Sequence, residues 1–137
     1  MKTTPMIQES MTLVPKTIGS DLPISKAGAI MREHDVRHLP VLKEGKLVGI
    51  ISDRDIKIAK SFPGPGELSV EDVMTPDPFV VGPDAFLDEV AAVMIEHKYG
   101  CAVIQSPGGK VVGIFTTIDA LRVLNNVLQK NYSHKAA

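Results

Sequence analysis

Two places in the sequence put a hydroxyl side chain three residues before a carboxylate, directly after an apolar run. Gly49–Asp55 reads Gly-Ile-Ile-Ser-Asp-Arg-Asp, and Gly113–Asp119 reads Gly-Ile-Phe-Thr-Thr-Ile-Asp. The pattern is nearly a capping box, so the simplest interpretation is the start of a helix. A helix N-terminus also suits a phosphate, because its N–H groups are free and its dipole end is positive. A carboxylate there can accept hydrogen bonds from both hydroxyls of a ribose, so capping and ligand binding are compatible.

These junctions belong to a longer internal repeat. Met11–Ile56 and Met74–Ala120 share Met-Thr, Pro, Gly-x-Asp, Met-x-Glu-His and a late glycine at a constant shift of 63 residues. One extra glycine, Gly109, moves the shift to 64, after which Lys-x-Val-Gly-Ile and an Asp align. Each copy is too small to bury a robust core alone, so the sequence predicts two copies of one unit that pack together.

Hydrophobic periodicity predicts the order strand, helix, strand, strand, helix in each copy. The apolar runs 39–42 and 47–51, and later 102–104 and 111–115, are separated by glycine-containing turns and predict hairpins. The last helix is long and has Leu121, Leu124 and Leu128 along one face. This order predicts an α/β fold, or more strictly a layered α+β fold, with two sheets and helices packed on them.

Composition narrows the function classes. The chain has 137 residues, of which 44% are hydrophobic and 23% charged, as in an ordinary soluble globular protein. A net charge of −1 and few aromatic residues argue against a nucleic-acid partner. No apolar run approaches the length of a membrane span, so we expect no membrane partner and a cytoplasmic location. A single cysteine, Cys101, excludes an internal disulfide framework.

Histidine and cysteine do not have the spacing of a metal site. His34 and His97 are equivalent positions of the two copies, and no Cys-x-x-Cys or His-x-x-x-His pattern occurs. The sequence also lacks a nucleophile with a neighbouring base. We therefore predict no metal, no catalytic residue and no enzymatic activity.

The chain resembles the tandem cystathionine-β-synthase (CBS) domain pair, or Bateman module, from Ser10 to about Leu128. The resemblance rests on the two junctions together with Met11-Thr12, Val73-Met74-Thr75, Arg37–Val41 and Gly45–Ile51, which occur in order. It implies two pseudo-twofold β-α-β-β-α units that meet through their sheets. We place the first repeat and an N-terminal extension in residues 1–62, a linker in 63–72, the second repeat in 73–130 and a frayed tail in 131–137.

The resemblance also implies two clefts for adenosine-containing ligands, each with Ser/Thr and Asp from one repeat and further lining from the other. The preferred cleft comprises Lys16, Thr17, Ile18, Arg37, His38, Arg54, Thr116, Thr117 and Asp119. The second cleft comprises Ser52, Asp55, Phe79, Val80, Val81, Gly100, Cys101 and Ile118.

The preference for one cleft rests on positive charge. The counterparts of Arg37, His38 and Arg54 are Gly100, Cys101 and Ile118, which cannot bind a phosphate through charge. Arg37 could still approach the second cleft from its own repeat.

The function implied by the resemblance is regulatory. We expect binding of AMP, with ADP, ATP or another adenosyl compound as alternatives, and no cofactor. The module would act as an energy or metabolite sensor through a change in conformation or assembly, as a homodimer that signals to an unidentified effector protein. The alternative is a ligand-free dimerisation or protein-interaction module of the same fold. The leucine face of the last helix is a candidate dimer contact, with core packing as the other interpretation.

Overall fold

The chain forms two compact units that do not follow the two halves of the sequence. A computed structural model describes residues 2–13, 16–62 and 64–135. One unit is Val14–Pro78, and the other combines Met1–Leu13 with Phe79–Ala137. We call them the first-repeat unit and the second-repeat unit. Residues 1–13 therefore belong to the second-repeat unit by their contacts, whereas the division of the chain into repeats at 1–62 and 73–130 stays a prediction.

Both units contain the predicted order of strand, helix, strand, strand, helix, and each gains one further short strand. In chain order, after a 3-10 helix at Ile7–Glu9, the elements are β1 (Thr12–Leu13), β2 (Ile18–Gly19), α1 (Ile24–His34), β3 (His38–Lys43), β4 (Lys46–Ser52), α2 (Asp53–Lys60), α3 (Val70–Val73), β5 (Thr75–Pro76), β6 (Val80–Val81), α4 (Leu87–His97), β7 (Cys101–Gln105), β8 (Val111–Thr116) and α5 (Thr117–Asn131). The layered α+β fold is thus confirmed. No helix among the described residues is long and apolar enough to span a membrane.

Each unit is built on a four-stranded sheet. The strand order is β2-β3-β4-β5 in the first-repeat unit and β6-β7-β8-β1 in the second-repeat unit. In both sheets the two central strands form an antiparallel hairpin, and the short strand before the first helix adds to it in parallel. The two-residue turn of the first hairpin has positive φ at both Glu44 and Gly45, as the twist of a tight hairpin requires.

The edge strands are exchanged between the repeats. β5, at the start of the second repeat, pairs antiparallel with β4 of the first. β1, at the start of the first repeat, pairs in the same way with β8 of the second. The repeated Met-Thr sequence therefore completes the sheet of the other repeat. This pairing explains why residues 1–13 group with the second-repeat unit.

A glycine lies on the hairpin strand at each place where an exchanged strand pairs with it. A Cβ built on Gly49 would lie 2.5 Å from Sδ of Met74 and 2.8 Å from the carbonyl oxygen of Thr75. At Gly113 the corresponding distances are 2.6 Å to Met11 and 2.9 Å to the Thr12 carbonyl. A methionine side chain can move aside, but a carbonyl oxygen in a strand cannot, so both positions require glycine.

The N-terminal segment is anchored in the core of the second-repeat unit. Ile7 is completely buried and belongs to the same apolar cluster as Val90, Met94 and Phe115. Its N–H donates a 2.7 Å hydrogen bond to the Ala85 carbonyl. The first-repeat unit has its own core, in which helix and strand residues pack together with Val70 of α3.

We predict that Gly49→Ala destabilises the protein by about 1–3 kcal/mol, because the added methyl group meets the backbone of β5. Gly113→Ala should do the same through β1. The matched control is Gly108→Ala, because a Cβ at Gly108 has no atom within 4 Å. Urea unfolding measures the free energy of each variant, and equal stability of all three variants would contradict the close approach.

Ile7→Ala should lower the free energy of unfolding by about 2–5 kcal/mol, because it leaves a cavity in a packed core. Leu13→Ala in the same N-terminal segment should cost far less, since Leu13 is 72% exposed. Chemical denaturation distinguishes the two variants. If both are equally mild, the N-terminal segment does not contribute to the core.

Candidate functional site

The first-repeat junction lies where β4 ends and α2 begins. The Ser52 N–H donates a 2.9 Å hydrogen bond to Oδ2 of Asp55, and the Asp55 N–H donates a 3.1 Å bond to Oγ of Ser52. These reciprocal bonds form a capping box, which confirms the simpler interpretation of the motif. They also hold a hydroxyl and a carboxylate side by side at a helix N-terminus, the arrangement that phosphate and ribose binding needs.

The second-repeat junction repeats this geometry between β8 and α5. The Thr116 N–H donates a 2.9 Å bond to Oδ2 of Asp119, and the Asp119 N–H donates a 3.4 Å bond to Oγ1 of Thr116. The same capping box therefore occurs twice, once in each unit. The sequence pattern located both junctions correctly because a cap depends on residues only three positions apart.

Asp119 makes further bonds that the motif did not predict. Oδ1 of Asp119 accepts a 2.8 Å hydrogen bond from Oγ1 of Thr12 and a 2.8 Å bond from Nη1 of Arg122. Asp119 is almost fully buried, with 3% of its surface exposed. The sequence could have suggested Arg122, because a positive residue three positions after a helical aspartate is placed to pair with it. The exchanged strand that brings Thr12 to Asp119 has no comparable local signal.

Arg37 and His38 lie next to Ser52 within the first-repeat unit. The Asp53 N–H donates a 2.9 Å hydrogen bond to the Arg37 carbonyl, and His38 is the register partner of Ser52 in the hairpin. In the second-repeat unit the Thr117 N–H bonds the Gly100 carbonyl at 3.3 Å, and Cys101 pairs with Thr116. Of the two basic side chains, Arg37 is exposed. Arg37 is thus near the Ser52 junction of its own unit, whereas the prediction from the sequence placed it in the preferred cleft with Thr116.

The other candidate residues lie on edge strands and first helical turns. Lys16, Thr17 and Ile18 lead into β2, where Ile18 pairs with Val41. In the second-repeat unit Phe79, Val80 and Val81 form or precede β6, and the Phe79 ring lies 5.3 Å from that of Tyr99. Arg54, Thr117 and Ile118 occupy the first turns of α2 and α5. Each predicted cleft combines residues of both units, and that combination stays a prediction.

Burial governs the chemistry of the one cysteine. Burial raises the pKa of the Cys101 thiol to about 11, so the thiol stays protonated at neutral pH and is a poor nucleophile. Among residues 2–13, 16–62 and 64–135, no group of three or more His, Cys, Asp or Glu side chains could hold a metal ion.

Comparison with known proteins assigns the repeats. The CBS domain family matches residues 7–61 and 70–126. Inosine-5'-monophosphate dehydrogenase of Korarchaeum cryptofilum (strain OPF8) is 35% identical over 103 residues, which are 75% of this chain and 21% of the dehydrogenase. The chain therefore spans about a fifth of the length of this relative.

Solved structures of CBS domain pairs have the same fold. The CBS domain pair of protein MJ0100, in complex with 5'-methylthioadenosine and S-adenosyl-L-methionine, is 28% identical with a TM-score of 0.81, covering 91% of this chain and 99% of that chain. CBSX2 in complex with AMP is 25% identical with a TM-score of 0.73, covering 89% and 97%. Together with the two repeated units and their junctions, these matches establish that the chain belongs to the CBS domain family and contains a tandem pair of CBS domains.

Proposed function

We propose that this chain is a regulatory module that binds an adenine nucleotide or another adenosyl compound at its two junctions, with AMP as the first candidate. The observation that carries the proposal is the pairing of a hydroxyl and a carboxylate at two helix N-termini, at Ser52/Asp55 and Thr116/Asp119. Support comes from relatives of the same fold, one in complex with AMP and one with two adenosyl compounds.

Each group at the junction has a chemical role in this proposal. The Asp carboxylate accepts hydrogen bonds from the ribose hydroxyls, while the Ser or Thr hydroxyl and the positive helix end attract a phosphate. The exposed Arg37 guanidinium supplies a charged fork for phosphate oxygens. Adenine packs against the extended segments before α1 and α4, at Thr17–Ile18 and Val80–Val81. No catalytic group is needed, because the ligand acts by binding.

Regulation requires that the ligand favour one state of the protein over another. A ligand shifts a conformational equilibrium only by its difference in affinity for the two states. We therefore propose that the module senses the energy or metabolite state of the cell through a change in conformation or assembly, which an effector protein then recognises.

A panel of AMP, ADP, ATP, S-adenosylmethionine and 5'-methylthioadenosine tests ligand binding. A true ligand at 100 times its dissociation constant should stabilise the fold by about 2.7 kcal/mol in a thermal-shift experiment. Asp55→Ala combined with Asp119→Ala should weaken binding by about 1.5–3 kcal/mol per lost charged contact, as measured by calorimetry.

The matched control for lost capping is Asp72→Ala. Asp72 forms the same capping box with Ser69 at the start of α3, with a 3.0 Å bond from the Ser69 N–H, but it belongs to neither predicted cleft. This variant should weaken the short helix and leave nucleotide affinity unchanged. Unaltered affinity in the double variant at Asp55 and Asp119 would refute the proposed sites.

The leucine face of α5 is exposed, so its interpretation as core packing is wrong. Leu121, Leu124 and Leu128 are 58%, 51% and 46% exposed, and Ile95 of α4 is 78% exposed. Apolar groups so exposed on one unit are typical of an interaction surface. We propose that this face mediates a homodimer. The same observation supports the second candidate function, a ligand-free interaction module. The ligand panel distinguishes the two functions, because an interaction module would bind none of the compounds.

In light scattering the protein should have about twice the 14.8 kDa mass of one chain. Leu124→Glu should produce a folded monomer, because it places a charge in an apolar contact. The matched control is Asn126→Glu, an exposed position two residues along α5 and therefore on its other side. A monomeric wild-type protein at micromolar concentration would contradict the proposed dimer.

A further inference from the structure

The two carboxylates that would bind ribose differ in how many hydrogen bonds they already accept. Oδ1 of Asp119 accepts bonds from Thr12 and Arg122, both at 2.8 Å. Oδ2 accepts bonds from the N–H and the hydroxyl of Thr116, at 2.9 Å and 3.2 Å. An ionised carboxylate has about four acceptor positions, so those of Asp119 are all in use. Its side chain is only 4% exposed.

Asp55, by contrast, has no arginine in its own helix at the position that Arg122 holds relative to Asp119. Its Oδ2 accepts a 2.9 Å hydrogen bond from the Ser52 N–H, and the residue three positions later cannot donate to Oδ1. One cause of the difference lies in the sequence and the other in the structure. The counterpart of Arg122 is Ile58, which has no donor and is 51% exposed. The counterpart of Thr12 is Thr75, which does not bond Asp55 within the part of the chain that the structure describes.

We propose that Arg122 is an internal competitor of the ligand: its guanidinium occupies the carboxylate of Asp119, so the second-repeat junction admits a ribose only when the Arg122–Asp119 ion pair opens. The inference rests on the proposed function, because it assumes that these aspartates bind ribose. It identifies Arg122 as the residue that sets the affinity of one junction relative to the other.

The ion pair can open without unfolding the helix. The Arg122 side chain is 61% exposed and attached one turn into α5, so it can rotate into water. A ribose hydroxyl then replaces the guanidinium as donor to Oδ1, which avoids leaving a buried acceptor unpaired. The exchange replaces a charged donor by a neutral one, and charge-assisted bonds are about twice as strong. Binding at Asp119 is therefore weaker than at an open carboxylate.

Competition by Arg122 and positive charge predict opposite orders of affinity for the two clefts. Charge alone favours the cleft at Thr116 and Asp119, whereas the occupied carboxylate favours the junction at Ser52 and Asp55. Adenosine has no phosphate that the basic residues could bind. Its relative affinity for the two junctions therefore depends on the two carboxylates. Adenosine should therefore bind first at Asp55.

The test uses adenosine and variants in which only one junction can bind. In an Asp55→Ala background, Arg122→Ile gives the second-repeat junction an isoleucine, as Ile58 is in the first-repeat junction. Adenosine affinity measured by calorimetry should rise about tenfold. This factor corresponds to the free energy of one charged hydrogen bond, lowered because Arg122 is exposed to solvent. Arg122→Lys, which keeps the charge but loses the planar fork, should give a smaller gain.

The reciprocal variant is the matched control. In an Asp119→Ala background, Ile58→Arg installs a guanidinium three residues after Asp55 and should weaken adenosine binding about tenfold. 2'-Deoxyadenosine, which lacks one of the two ribose hydroxyls, should gain less from Arg122→Ile than adenosine does. Both substituted positions are exposed, and a melting curve establishes that each variant folds.

The outcomes separate the inference from the function on which it rests. If no adenosyl compound binds the wild-type protein, the proposed function fails. If AMP binds the wild type but Arg122→Ile leaves adenosine affinity at Asp119 unchanged or lower, the function stands and the role of Arg122 is refuted. A gain at Asp119 with Arg122→Ile, together with a loss at Asp55 with Ile58→Arg, supports the competition.

Discussion

The close approach of two backbones at Gly49 and Gly113 is the constraint on which the rest of the structure depends. Each glycine lets an exchanged edge strand lie against a hairpin strand at a distance that a methyl group would forbid. The exchange gives each sheet its fourth strand and brings the N-terminal segment, with buried Ile7, into the second-repeat unit. It also connects the fold to the site, because the strand that passes Gly113 carries Thr12 to the carboxylate of Asp119.

In the proposed function, the two junctions combine a structural and a functional requirement in the same atoms. The reciprocal bonds between the hydroxyl residue and the aspartate satisfy helix N–H groups that would otherwise lack partners. They also fix the orientation of both side chains, so a ligand need not order them on binding. For this reason, capping and ligand binding are not rival interpretations of Ser52/Asp55 or Thr116/Asp119. In the proposed function, the cap positions the hydroxyl and the carboxylate that bind the ligand.

Single substitutions break the symmetry of the repeat without disturbing its fold. Arg37 and His38 of one repeat correspond to Gly100 and Cys101 of the other, and Ile58 corresponds to Arg122. All of these positions lie at or near the junctions, where they change charge and hydrogen bonding more than packing. In the proposed function, this inequality gives the two junctions different affinities for the same ligand.

The sequence by itself determined the elements and the junctions. Hairpins, helices and caps follow from residues a few positions apart, so the repeat, the strand and helix order and both capping boxes could be predicted. The resemblance carried by the same residues also identified the family. The exposure of Leu121, Leu124 and Leu128 could not be predicted, because helical spacing gives an apolar face and does not tell what covers it.

Only the tertiary structure decided which segments complete each sheet and which oxygens of the site are already in use. Thr12 and Asp119 are 107 positions apart, and no local pattern couples them. Their contact arises because β1 pairs with β8 rather than with a strand of its own repeat. Long-range pairing depends on the packing of the whole chain, whereas a cap depends on one helical turn. That difference in range is the physical reason why the sequence identified the carboxylate of Asp119 and only the fold brought Thr12 to it.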